Sequence, residues 1–263
     1  MRIALVQIAA TTDPAENLAL VADGVADAAA RGARLVVFPE ATQCRFGVPL
    51  GPVAEPLDGP WASRVCELAA ATGVTVVAGM FTPADDGRVR NTLLVTGPGV
   101  EEHYDKIHLF DAFGFAESDT VAPGDRPVTV TVDGVTVGLA TCYDLRFAGL
   151  FQTLGDDGAQ VVVVPASWGA GPGKREQWEL LVRARALDTT AFVAACDQAD
   201  PEAAGHPVPG GAPTGIGMSA VAGPTGSLVA ALDAAPGTLV VDLDLDAVTA
   251  ARRAVPVLAN RRY

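Results

Sequence analysis

Cys142 stands where an apolar, strand-like run (134–141) gives way to Cys-Tyr-Asp-Leu-Arg-Phe (142–147). A residue at a sharp strand-to-helix turn is lifted out of its sheet and meets the free N–H groups of the next first turn. That setting suits a thiol nucleophile, and a helix N-terminus is expected to lower its pKa. Glu40 closes the apolar run Leu-Val-Val-Phe-Pro (35–39). It lies at the carboxyl end of a buried strand, where open α/β sheets place their ligands, and a carboxylate there can act as general base. Lys106, in Tyr-Asp-Lys-Ile-His-Leu-Phe-Asp (104–111), would hold a developing oxyanion if buried. On the surface it would instead pair with Asp105 or Asp111. Glu117, in Phe-Ala-Glu-Ser (115–118), can orient that lysine or hold a proton. Taken singly, each residue also has a plain structural reading, since free cysteines usually fill cores and lone charges usually face water. Cys44, Cys66 and Cys196 lack the turn setting of Cys142.

Read together and in this order, Phe-Pro-Glu (38–40), the 104–111 segment and the 142–147 segment resemble the nitrilase superfamily of carbon–nitrogen hydrolases. The resemblance continues through Val-Pro-Ala-Ser-Trp (164–168), the run from Trp178 to Asp188, and the closing Pro-Val-Leu-Ala-Asn-Arg-Arg-Tyr (256–263). It spans nearly the whole chain. It implies an α/β fold, a four-layer α-β-β-α sandwich formed by residues 1–263 as one domain. It also implies a Glu–Lys–Cys triad of Glu40, Lys106 and Cys142, with Glu117 as supporting glutamate and the Tyr143 backbone N–H as a second oxyanion donor. The implied reaction is hydrolysis of a small carboxamide through a thioester, releasing ammonia and a carboxylate. Neither a metal nor an organic cofactor is implied, and pairing into a homodimer or higher homo-oligomer is.

Within the superfamily, three fragments (111–118, 184–190 and 256–263) look closer to deaminated glutathione amidases than to omega-amidases, which act on 2-oxoglutaramate and 2-oxosuccinamate. Both substrates are anionic, so Arg146, Lys174 and Arg175 are candidate partners, with Trp168 and the Gly169–Gly173 turn as pocket wall. The triad does not separate amide from nitrile or N-carbamoyl hydrolysis, or from acyl transfer. A papain-like cysteine–histidine pair would need His103, His108 or His206 to reach Cys142. No histidine spacing suggests zinc. A non-catalytic binding protein that kept the fold is the alternative from a different class, and the presence of all four catalytic-type residues argues against it.

The elements that must carry these residues follow from periodicity and turn chemistry. Strands are expected at 2–8, 35–38, 74–80, 161–164 and 191–196. Hairpins are expected around Gly97–Pro98–Gly99 and around Asp133–Gly134. Asp13–Pro14 should open a helix that Gly32 ends, and Pro60 one that Gly73 ends. Further helices are expected at 143–154, 174–188 and 243–253. Strands should also lie at 216–222, 228–232 and 238–241. Residues 106–127 and 197–213 read as loops. Hairpins mixed with helix-linked strands point to a layered sandwich over a single parallel sheet.

The net charge of −13 and the lack of any Lys/Arg run longer than a pair make nucleic acid and anionic membranes poor partners. Half of the residues are hydrophobic (49%) and 19% are charged, enough for a large interior or a buried subunit interface. No apolar stretch reaches membrane-spanning length. The N-terminal run reads as a strand, not a signal peptide, so the cytoplasm is the expected compartment.

Overall fold

The computed structural model describes residues 1–208 and 210–262. Pro209, inside the expected 197–213 loop, and Tyr263, the end of the closing motif, lie outside the described residues. The first half of the chain supplies β1 (Arg2–Gln7), α1 (Pro14–Ala30), β2 (Leu35–Val37), α2 (Pro60–Thr72), β3 (Thr75–Pro83), β4 (Val89–Gly97) and β5 (Val100–Asp105). A connecting segment carries three two-residue strands, β6 (Asp111–Ala112), β7 (Phe115–Ala116) and β8 (Val121–Ala122). The second half supplies β9 (Val128–Val132), β10 (Val135–Leu139), α3 (Ala148–Asp156), β11 (Val161–Ala166), α4 (Lys174–Thr189), β12 (Phe192–Asp197), β13 (Ala220–Ala222), β14 (Leu228–Ala231), β15 (Gly237–Asp242), α5 (Asp246–Ala254) and the short α6 (Val257–Asn260).

Two sheets form. One runs β15-β1-β2-β3-β4-β5 with β8 beside β4, and the other runs β14-β13-β12-β11-β10-β9. β1, β2 and β3 are parallel, as are β10, β11 and β12, and hairpins widen both groups. The alternation of strand side chains decides the layering. Ile3 and Leu5 enter the cluster shared by both sheets, with Val137, Val161 and Val163. Ala4 and Val6 face the opposite way, onto Val21 and Val25 of α1 and Val65 of α2. On the far side, Val162 and Val164 meet Phe151 of α3 and Trp178 and Val182 of α4. Central strands are apolar on both faces because both faces are covered. The result is the four-layer α-β-β-α sandwich.

Local chemistry accounts for most boundaries. The Asp13 side chain accepts from Ala15 N and Pro14 fills the first turn of α1. Gly73 ends α2 in the left-handed region. Asp133 and Gly134 both have positive φ, as a two-residue hairpin turn requires. Three expectations need correction. The helix expected over 143–154 is two pieces, a 3-10 turn at Cys142–Arg146 and then α3, separated at Phe147. Buried Asp144 takes bonds from Tyr104 Oη (2.7 Å), His108 N (3.1 Å), His108 Nδ1 (2.6 Å) and Thr141 N (2.8 Å), which tightens this turn. Phe147 leaves the helical path to stack on His108 at 3.7 Å. The strand expected over 216–222 shrinks to β13, because Gly215, Gly217 and Met218 all have positive φ. Asp197, expected to begin a loop, is the last residue of β12.

Candidate active site

Glu40, Lys106, Glu117 and Cys142 come from four separate segments and line one cleft. Glu40 sits just past β2, on a turn laid against β3. Gly79 permits this approach: a Cβ there would lie 2.6 Å from Ala41 N and 2.8 Å from Pro39 O. Lys106 follows β5 and is fixed from behind by Gly124, whose N–H donates to Lys106 O at 2.8 Å. Any Cβ on Gly124 would collide with Asp105 O. Glu117 begins a 3-10 turn after β7. Cys142 begins the turn after β10 with φ 46, a left-handed conformation rare for a non-glycine and characteristic of nucleophile elbows.

Lys106 is 2% exposed, so it is not the surface lysine paired to Asp105 or Asp111. Its Nζ donates to Glu40 Oε1 at 2.9 Å and to Glu117 Oε2 at 2.8 Å. An ammonium has three protons, so one remains for the cleft. Burial by itself would lower the Lys106 pKa, but the two carboxylates outweigh it and hold the ammonium charged well above its ordinary range. Glu40 Oε2 accepts from Ser167 N at 2.9 Å, and Glu117 Oε2 from Phe110 N at 2.7 Å.

The Cys142 thiol corrects an expectation. Its pKa is pushed well above the ordinary value, chiefly by burial and then by the charge of Glu40, against the pull of Lys106. A one-turn 3-10 segment does not offset that burial. The group rests as a thiol, with Sγ donating to Ser167 O at 3.8 Å. A thiol held this way needs a base to remove its proton before it can attack a carbonyl, and the Glu40 and Glu117 carboxylates line the same cleft.

Two further residues join the site without having been singled out from sequence. Asn91 of β4 donates through Nδ2 to both Glu40 Oε1 (2.7 Å) and Glu117 Oε1 (3.1 Å). Asp197 is fully buried and accepts from Trp168 N (2.7 Å) and Ile216 N (2.9 Å), which pins the turn that carries Ser167. Burial, reinforced by the charge of Glu40, raises its carboxyl well above the usual range despite those two bonds. A polar residue inside an otherwise apolar strand was the available signal for Asn91, and a charge at a strand's carboxyl end was that for Asp197.

The remaining candidates divide. Tyr143, Arg146, Trp168, Gly169 and Lys174 line the cleft. Arg146 donates to Gln177 Oε1 at 2.7 Å and lies over the Trp168 ring at 5.1 Å. Lys174 Nζ lies over the Phe113 ring at 4.0 Å. Among the described residues, neither cation has a carboxylate partner within ion-pair distance. Burial, then the neighbouring Arg146 charge, lowers the Lys174 pKa. Arg175 points away and pairs with Glu179. His108 is committed to Asp144 and Phe147, and none of His103, His108 and His206 lines the cleft, which removes the papain-like pair. Among the described residues no cluster of His, Cys, Asp or Glu could hold a metal.

Known proteins give a consistent picture. The carbon-nitrogen hydrolase family model matches residues 2–253. A hydrolase of Mycobacterium tuberculosis is 58% identical over 99% of this chain and 95% of its own length. The omega-amidase of Homo sapiens is 31% identical over 99% and 95%. Among solved structures, an amidase from Nesterenkonia superposes with a TM-score of 0.82 at 29% identity, over 100% of this chain and 93% of that one. A mutant of that amidase carries the acetamide moiety of fluoroacetamide covalently on its active-site cysteine. Nit3 of Saccharomyces cerevisiae, from branch 10 of the nitrilase superfamily, gives 0.86 at 25% identity, over 100% and 97%. A complete α-β-β-α sandwich, a family match along almost the whole chain and amidase relatives on both comparisons lead to one conclusion: the chain belongs to the carbon-nitrogen hydrolase family within the nitrilase superfamily, and it is a hydrolase of carbon–nitrogen amide bonds.

Proposed function

We propose that Cys142 is the nucleophile, Glu40 the proton carrier and Lys106 the oxyanion holder of an amidase acting on a small anionic carboxamide. The observation that carries this reading is the Lys106 ammonium, clamped between Glu40 and Glu117 in the cleft that contains Cys142. Glu40 takes the thiol proton as sulfur attacks the amide carbonyl. Lys106, through its third proton, and the Tyr143 N–H hold the oxyanion. Glu117 and Asn91 keep Lys106 and Glu40 in place. Collapse breaks the C–N bond, and the departing nitrogen takes the proton from Glu40. A thioester remains on Cys142; the Nesterenkonia amidase mutant, whose active-site cysteine carries the acetamide moiety of fluoroacetamide, supports a nucleophilic cysteine at this place in the fold. Glu40 then deprotonates a water that attacks the thioester, releasing the carboxylate and restoring the thiol.

Arg146 and Lys174, cations without carboxylate partners among the described residues, support an anionic substrate held by Arg146 in the inner cleft, with Trp168 and Tyr143 as walls. Among 2-oxo acid amides, deaminated glutathione is the preferred substrate and 2-oxoglutaramate the second choice. The 31% identity to the human omega-amidase favours the second, and the motif fragments favour the first. Residues 1–263 act as one domain, in the cytoplasm, as a homodimer or higher homo-oligomer. The exposed Leu180 and Leu187 on α4 and Leu228 on β14 offer apolar surface for that assembly. The test is acid release from both amides, an N-carbamoyl amino acid and a simple nitrile, with Cys142→Ala alongside. Cys142-dependent release from a 2-oxo acid amide is expected. Release from the nitrile alone, or release that survives Cys142→Ala, would overturn the reading.

A further inference from the structure

The cleft beside Cys142 does not end at Lys174. It opens into an outer cleft and shares Phe110, Phe115, Gly169, Lys174 and Pro213 with it. Phe113 forms the rim and is 81% exposed. It is the first residue of the two-residue turn between β6 and β7, where Phe113 (φ 56) and Gly114 (φ 80) both adopt left-handed backbone. A phenylalanine held out at a hairpin tip contributes almost nothing to the core, so folding does not account for it. Its ring instead covers the Lys174 ammonium. The two cations that lack a carboxylate partner among the described residues are placed differently. Arg146 lines only the inner cleft, while Lys174 lines both.

We infer that the outer cleft is the subsite for the amine half of a secondary amide, an amino-acid- or dipeptide-like group whose carboxylate meets Lys174 and whose apolar portion packs on Phe113. This rests on the proposed function. An acyl group whose anion sits on Arg146 occupies the inner cleft, which leaves the second cation and the space beyond it for the other side of the scissile bond. Ammonia as leaving group would need neither. The chemistry is unchanged: the C–N bond breaks, the amine nitrogen takes the proton from Glu40, and the free amine leaves through the outer cleft. Water then hydrolyses the thioester.

Deaminated glutathione and 2-oxoglutaramate form the same 2-oxoglutaryl thioester and differ only in what leaves, cysteinylglycine or ammonia. Steady-state release of 2-oxoglutarate from each isolates the outer subsite. For wild type, kcat/KM is expected to be at least about tenfold higher for the dipeptide amide. Phe113→Ala lowers that value by about five- to tenfold, mainly through KM, as expected for losing one partly buried ring. The ammonia amide stays within about twofold, the thermal midpoint is unchanged, and Phe113→Tyr restores the preference. A wild-type preference for the ammonia amide, or an equal effect of Phe113→Ala on both, would overturn the subsite and leave the amidase reading intact. Turnover of neither amide would overturn the substrate reading and the subsite with it.

Discussion

Replacing Lys106 with Met keeps most of the side-chain volume and removes the charge that lies between Glu40 and Glu117. The ammonium makes two charge-assisted bonds, 2.9 and 2.8 Å, at 2% exposure. Without it, two buried carboxylates share Asn91 and a few backbone N–H groups with no cation. Breaking a buried ion pair by removing one partner costs about 3–5 kcal/mol. For a chain of this length that corresponds to about 6–20 °C in Tm. Activity should fall further, because one oxyanion donor is worth about 10²–10³ in kcat. The pH sign is fixed by the direction of the shift. The folded pKa of Lys106 is raised above the ordinary 10.5. Its stabilisation is therefore fully present below that value and is lost only as pH rises through the still higher folded pKa. The gap between wild type and Lys106→Met should stay flat from about pH 7 to 9 and narrow only above about pH 10. Urea unfolding followed by the fluorescence of the three buried tryptophans reads the stability. Adding Glu117→Gln removes one of the two stranded charges, so the double variant should regain part of the stability and none of the activity. Wild-type stability in Lys106→Met would refute the counter-ion argument, and wild-type kcat would refute the oxyanion role.

The raised thiol pKa predicts that Cys142 reacts slowly with iodoacetamide at neutral pH and faster as pH rises through and beyond the ordinary 9.0. Glu40→Gln removes a like charge and should move that curve to lower pH, read peptide by peptide by mass spectrometry; an unmoved curve would contradict it. Gly79→Ala would place a Cβ 2.6 Å from Ala41 N and push the Glu40 turn off β3. It should cost about 1–3 kcal/mol and at least about tenfold in kcat, and full activity in this variant would show that the close approach does not position Glu40.

Much of the protein was legible in the sequence, for local reasons. Asp13–Pro14, Gly73 and Asp133–Gly134 mark boundaries through backbone preferences that need no distant partner. Continuous apolar runs marked the central strands, and the ordered motifs around Glu40, Lys106 and Cys142 identified the family and the four residues that meet in the cleft. Other features depend on partners far away in the chain. β15 closes the first sheet against β1, pairing Gly237–Asp242 with Arg2–Gln7 from the opposite end of the chain. At the break before α3, Asp144 takes bonds from Tyr104 and His108, far away in the chain, as well as from Thr141 at the start of its own turn. Asn91 reads as an ordinary strand residue and Asp197 as the start of a loop until folding brings one against both glutamates and the other under Trp168. The direction of the Cys142 shift was also beyond the sequence. Proximity to a turn favours a thiolate, while burial beside a carboxylate opposes it, and only packing fixes the balance. Sequence determines which groups are present and how each short stretch bends. Burial and the distances between charges from separate segments decide what those groups can do, because desolvation and Coulomb energies depend on positions that only the folded chain sets.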